Sequence, residues 1–176
     1  MNLWNRLAKL WSSRSDDREF PHSVVLLQRT ARFFSKNEVE KAAEAGWGKR
    51  FDGQDDPIYF VVQKGEITII KAGIYVVHLI HANQPYLGDP QEVAKQLPRE
   101  EQRIAWRQHN TWASFDLWNE GVQKAEAYAA LAKFALNLGD ENCAGVYLPK
   151  EEIFMPNDGT AEEGLRLLMR KELLPS

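Results

Sequence analysis

Short apolar runs and longer stretches of helical spacing follow one another along this chain. Short runs bounded by turn residues predict β-strands, and apolar residues three and four apart after a capping signal predict helices. The predicted strands cover residues 23–28, 58–63, 66–70, 74–81, 111–118 and 143–148, and the predicted helices begin near residues 36, 90, 99, 123 and 160.

The order of these elements indicates the fold class. Predicted hairpins precede a strand, a helix and a strand at residues 111–118, 123–138 and 143–148, which is the order of a βαβ unit with parallel strands. Hairpins followed by such a unit are typical of α+β proteins. We therefore expect a single α+β domain over residues 21–176, with a mixed sheet and helices packed mainly on one face. A ferredoxin-like core with an insertion between residues 82 and 110 fits this order best.

Residues 1–11 have a helical pattern of their own. The apolar side chains fall on one side of the predicted helix and are Leu3, Trp4, Leu7, Leu10 and Trp11. The following stretch SSRSDDREFP, which is polar from Ser12 to Glu19 and closed by Pro21, predicts a linker. Because so short a helix is unstable alone in water, it needs a surface to fold against. We expect a protein partner or a second copy of the chain. A groove on its own domain is an alternative, and an anionic membrane surface is a less favoured one.

Composition and charge exclude several function classes. The net charge is −3, whereas proteins that bind nucleic acids generally have a basic excess, so we expect no nucleic-acid partner. Residues 1–18 are net positive, and the remainder is net negative. A single Cys143 and the lack of a membrane-length apolar run predict a cytoplasmic protein. No phosphate-binding loop, zinc-protease or serine-hydrolase motif occurs, so we expect no cofactor.

Two histidines in the predicted strand 74–81 raise the question of a metal site. His78 and His81 are three residues apart, and residues at that spacing in a strand point to opposite faces. No Cys or carboxylate spacing nearby matches a zinc pattern. We therefore expect no shared metal ion, with one histidine inward and the other exposed.

The stretch RQHNTWASFDLW, residues 107–118, holds the densest group of side chains with chemical potential. Strand alternation places one amphipathic set on the side opposite the core face, namely Trp112, Ser114, Asp116 and Trp118. Tryptophan is favoured at protein interfaces, so this set is a candidate binding face. The alternative is that the tryptophans pack under the long helix while Asp116 bonds to backbone.

A catalytic hypothesis pairs His109 as base with Cys143 as nucleophile. Cys143 begins a predicted strand with no helix N-terminus after it to stabilise a thiolate, which favours a buried structural cysteine. His109 and Asp116 are roughly 23 Å apart along a straight strand, too far for a direct acid–base pair. His109 within reach of a nucleophile or carboxylate would favour an enzyme, and His109 buried beside Trp106 would favour a binding protein.

Three stretches, HSVVLLQ, RQHNTWASFDLW and AYAALAKFALNL with the following CAGVYLP, resemble a bacterial family known as a domain of unknown function. The resemblance covers residues 22–150 and implies one soluble bacterial domain with no assigned catalytic residues. Each catalytic arrangement considered above fails on spacing or context. We therefore predict a non-catalytic binding or protein-interaction domain. The alternative is a small hydrolase-like enzyme that uses His109 and Cys143.

Overall fold

The computed structural model describes residues 21–119 and 121–174, so the predicted helix 1–11 and most of the linker lie outside the described residues. The strands are β1 (His22–Gln28), β2 (Tyr59–Lys64), β3 (Ile67–Ala72), β4 (Tyr75–Ala82), β5 (Thr111–Leu117), β6 (Cys143–Leu148) and β7 (Ile153–Pro156). The α-helices are α1 (Lys36–Trp47), α2 (Pro90–Ala94), α3 (Glu100–Arg107), α4 (Lys124–Leu138) and α5 (Thr160–Met169).

The strands form one sheet in the order β2-β3-β4-β5-β1-β6-β7, and all neighbouring strands are antiparallel. β5 and β6 run in the same direction, as the βαβ order predicts, but β1 lies between them. The α+β prediction is confirmed, whereas the expected mixed sheet is corrected to an antiparallel one. The central order β4-β5-β1-β6 is the ferredoxin-like one, extended by the β2-β3 hairpin and by β7. The predicted insertion contains α2 and α3.

Local signals in the sequence account for helix starts and turns. At the start of α1, the backbone N–H of Glu38 donates to the Ser35 hydroxyl, and the backbone N–H of Ser35 donates to the Glu38 carboxylate. The backbone N–H of Gln91 donates to the Asp89 carboxylate at the start of α2. The β2-β3 hairpin turns at Gly65, whose φ of 61° favours glycine.

The main core lies between one side of the sheet and helices α1, α4 and α5. Alternate residues of the central strands point into it, among them Leu26 of β1 and Phe115 of β5. The Phe115 ring stacks on Phe134 of α4 with the ring centroids 6.0 Å apart. Full burial of one large apolar side chain contributes about 1.5–3 kcal/mol, so this side provides most of the hydrophobic stabilisation. We call it the core side.

A second, smaller cluster lies on the other side of the sheet. It is formed by α2, α3, the loop around Tyr86 and residues of β1, β6 and β7. Trp106 of α3 is its centre and meets Tyr147 and Phe154 edge-on, with ring centroids 5.3 and 5.0 Å away. Helices therefore cover the core side broadly, as expected, and the other side only near β1, β6 and β7.

Candidate interaction face

The four predicted binding residues of the β5 region lie in two different environments. Ser114 is buried, and Trp112 is half-buried with its ring edge-on to Tyr86 at 5.3 Å. Asp116 is half-buried, and Trp118, directly after β5, is 50% exposed. Trp112 packs in the second cluster and not under α4, because α4 lies on the core side. Only the Asp116 end of the predicted face therefore borders solvent.

Asp116 is the centre of a small polar group. The Ser114 hydroxyl donates to its carboxylate at 2.5 Å, and the Ser23 side chain also hydrogen-bonds to it. In the sheet, Asp116 pairs with Ser23 of β1 and His78 of β4. Burial raises the pKa of Asp116, while both hydroxyls and His78 act in the opposite direction. The partners of Asp116 are thus side chains, not the backbone groups expected from the sequence.

Beyond Asp116, the same side of the sheet carries exposed apolar side chains. Strand pairing sets Val62 beside Ile69, and Ile67 beside Ile80. The exposed fractions are 50% for Val62, 48% for Ile67 and 38% for Ile69. These side chains lie on neighbouring strands, and Trp118, directly after β5, is a further exposed apolar side chain.

No helix of residues 21–119 and 121–174 covers this surface, because α3 packs over β6 and β7 and α1 packs on the core side. We call it the open face. It is the side of β2–β5 away from α1 and α4. The strand pairing places on it the residues Phe60, Val62, Lys64, Ile67, Ile69, Lys71, Val76, His78, Ile80 and Asp116, and the exposed Trp118 follows directly after β5. Large contiguous apolar surfaces are uncommon on monomeric proteins, so this face is the candidate site.

Most residues of this face were not predicted as a site, although the sequence contains a signal for them. The stretches FVV in β2 and ITII in β3 place apolar residues on both faces of each strand. Such runs predict a strand buried on both sides. The described residues bury only one side of these strands, which leaves Val62 and Ile69 exposed.

His109 is a structural residue in this geometry. It is fully buried, and its Nε2 accepts a hydrogen bond from the backbone N–H of Tyr86 at 3.0 Å. Because Nε2 is the acceptor, Nδ1 carries the proton and donates to the carbonyl oxygen of Trp106 at 2.5 Å. Burial lowers the pKa of His109 and so favours this neutral form. The histidine ties the Tyr86 loop to the end of α3.

Cys143 lies in the core-side cluster, whereas His109 contacts the Trp106 cluster on the other side. The Cys143 thiol donates to the carbonyl oxygen of Gly145 at 3.2 Å. Burial raises the pKa of this thiol to about 11, which keeps it protonated and a poor nucleophile. The structure does not bring the two proposed catalytic residues together, so the geometry gives the hydrolase alternative no support.

His78 and His81 lie on opposite sides of β4, as the strand spacing predicts. His78 is half-buried on the open face, and His81 is buried on the core side, where its Nε2 accepts from the backbone N–H of Phe34 at 3.1 Å. Burial lowers the pKa of His81. Within the described ranges, no three His, Cys, Asp or Glu side chains are grouped to hold a metal ion.

Two surface depressions lie away from these residues. One, of about 380 Å³, lies between α3, β7 and α5, and the other, of about 290 Å³, lies between α1 and the end of α4. Neither is lined by His109, Cys143 or Asp116. The part of the chain that the structure describes has no helix long and apolar enough to cross a membrane.

No protein-family model, curated protein or solved structure matches this chain. The resemblance to a bacterial family of unknown function therefore stays a prediction. Among the described residues, the open face is an apolar surface that no helix covers.

Proposed function

We propose that this protein is a non-catalytic protein-interaction domain and that the open face is its binding surface. The observation that carries the proposal is the row of exposed apolar side chains on neighbouring strands, Val62, Ile67 and Ile69, with no helix of the described chain above them. The partner is a protein segment with an apolar stripe, such as an amphipathic helix. We also propose a cytoplasmic location, which the single, buried Cys143 supports.

The chemistry of the face supports such a partner. Isoleucine and valine present rigid apolar surface, and Trp118 adds a large aromatic ring at one end. The Asp116 carboxylate and His78 provide polar groups in the middle, where they can fix the orientation of a partner. Each exposed side chain has about half of its surface left to bury, which is worth about 1 kcal/mol per residue.

A display library of amphipathic helical peptides, panned against the full chain, tests the proposal. We expect enriched peptides with apolar residues at helical spacing. Ile67→Thr should weaken their binding by about fivefold, the equivalent of about 1 kcal/mol. Threonine keeps the β-branched shape that the strand prefers, so the change removes apolar contact without disturbing the strand.

Ile104→Thr is the matched control, because Ile104 lies on α3 and is 47% exposed, close to the 48% of Ile67. Binding should be unchanged in this variant. A library that yields no binder would contradict the proposal. Peptides that bind both variants equally would contradict it too, because their site would lie elsewhere.

A further inference from the structure

We propose that residues 1–11 of the same chain dock on the open face and act as an internal ligand that an external partner must displace. This inference rests on the proposed function, since it describes how the same surface is regulated. The proposed occupant is the predicted helix whose apolar stripe contains Leu3, Leu7 and Leu10. Binding of a second copy of the chain to the open face would contradict this proposal.

β1 begins at one end of the sheet, next to the last residue of β5. His22, the first residue of β1, pairs with Leu117 at the end of β5, next to Trp118. Ser23 points to the side of the open face, where its side chain hydrogen-bonds to Asp116. The chain therefore enters the sheet at the Trp118 end of this surface.

The lengths of the linker and the predicted helix suit this surface. The linker, residues 12–20, can span up to roughly 30 Å when extended. The width of the four strands β2–β5 is about 14 Å, from three spacings of about 4.8 Å. A helix over residues 1–11 is about 16 Å long. The helix can therefore lie across all four strands without stretching the linker.

The two surfaces are complementary in chemistry. The stripe offers leucine and tryptophan side chains, and the open face offers isoleucine, valine and Trp118. The charged side chains on this side of β2–β5 include Lys64, Lys71 and Asp116, so the match is one of apolar contact and not of net charge.

Docking within one chain has an advantage over docking between two copies. A segment joined to its site by a linker of this length has an effective concentration in the millimolar range. A second copy at micromolar concentration competes poorly with this tethered segment. For the same reason, an external partner must displace the internal segment. Its observed affinity is therefore lower than its intrinsic affinity for the open face.

Cysteine trapping in the full chain tests the contact. Leu7→Cys combined with Ile69→Cys places one thiol on the stripe and one on the open face. The native Cys143 is buried, so it does not compete under mild oxidation. We expect a disulfide within a single chain, seen on a gel without reductant as a faster-migrating monomer. It should form about tenfold faster than in the control pair, which is the ratio for a contact favoured by about 1.4 kcal/mol.

The control pair is Leu7→Cys with Ile104→Cys, which has a similarly exposed partner position outside the open face. Equal rates in the two pairs would overturn the proposal. A disulfide-linked dimer as the main product would overturn it in favour of a second copy. Leu10→Cys with Ile67→Cys repeats the test if the first pair disturbs the fold, as judged by its melting temperature.

Peptide binding provides the second measurement and separates this inference from the proposed function. Leu3→Ser with Leu7→Ser should raise the affinity for the library-selected peptides by about tenfold, because the competitor is lost. Asn2→Ser with Asn5→Ser, on the opposite side of the predicted helix, should leave the affinity unchanged. Peptide binding without the intrachain disulfide would overturn the internal docking alone. The disulfide without any peptide binding, even in the Leu3→Ser, Leu7→Ser variant, would overturn the proposed function alone.

Discussion

Replacing His109 with leucine removes the acceptor for the Tyr86 N–H and the donor to the Trp106 carbonyl. The Tyr86 N–H then has no partner in a buried position, at a cost of about 1–3 kcal/mol. The Trp106 carbonyl also accepts from the backbone N–H of residue 109 at 3.3 Å. Losing the imidazole donor to this carbonyl therefore costs about 1 kcal/mol, the lower end of the same range. We expect His109→Leu to lower the free energy of unfolding by about 2–4 kcal/mol.

Urea unfolding followed by fluorescence measures this change. The midpoint should fall while the dependence on urea stays constant, because the folded surface is unchanged. His109→Gln should cost less than His109→Leu, since its side-chain oxygen can still accept from Tyr86. His78→Leu is the control on a half-buried position of the open face and should cost less than about 1 kcal/mol. The structural role of His109 is refuted if His109→Leu costs no more than the control.

The same bond makes stability depend on pH. Burial lowers the pKa of His109 in the folded state, so the unfolded state binds a proton more readily. The contribution of His109 is therefore fully present above its unfolded pKa of about 6.5 and is lost as the pH falls below that value. In His109→Leu this loss should be smaller, with the remainder due to His81, whose pKa burial also lowers.

Three further predictions concern single residues. Gly145→Ala should destabilise the folded protein by about 1–3 kcal/mol, because the new Cβ would meet the Phe154 ring and lie 2.7 Å from the Met155 carbonyl oxygen. An unchanged urea midpoint would contradict this packing. Cys143 should react with Ellman's reagent only after unfolding, and rapid reaction in the native state would show that it is accessible. Asp116→Ala should lower the free energy of unfolding by about 1–3 kcal/mol, because two serine hydroxyls lose their acceptor. Asp116→Asn should cost less, since burial disfavours the charged carboxylate. Equal thermal melts of the parent and the alanine variant would argue against this role.

Much of the fold follows from local patterns in the sequence. The run Val24–Leu27, the Ser35 capping signal and Gly65 correspond to β1, the start of α1 and the β2-β3 turn. Strand neighbours do not follow in this way, because pairing depends on contacts between distant segments. The apolar run of β1 is typical of a central strand buried on both faces, and it has that position, but its residues do not specify β5 and β6 as its neighbours. β7 was missed because it is short and ends at Pro156.

The candidate site was harder to predict than the fold. Strand alternation grouped Ser114 and Asp116 on one side, where their side chains hydrogen-bond, since that property is local to β5. The environment of His109 depends on the Tyr86 loop, whose approach the sequence does not reveal. The open face was missed because an apolar run indicates that both sides of a strand avoid water, not what covers them.

The central position of β1 also shapes how the chain folds during synthesis. Val25 pairs with Ser114 on one side and Tyr147 on the other, so β1 needs partners made much later. The ribosome adds about 5–20 residues per second, so on the order of ten seconds pass between the synthesis of β1 and that of its two neighbours, β5 and β6. During that interval an apolar, β-prone segment is open to wrong association. We therefore expect the yield of folded protein in a cell to depend on chaperones that shield Val24–Leu27, and not on the final stability alone.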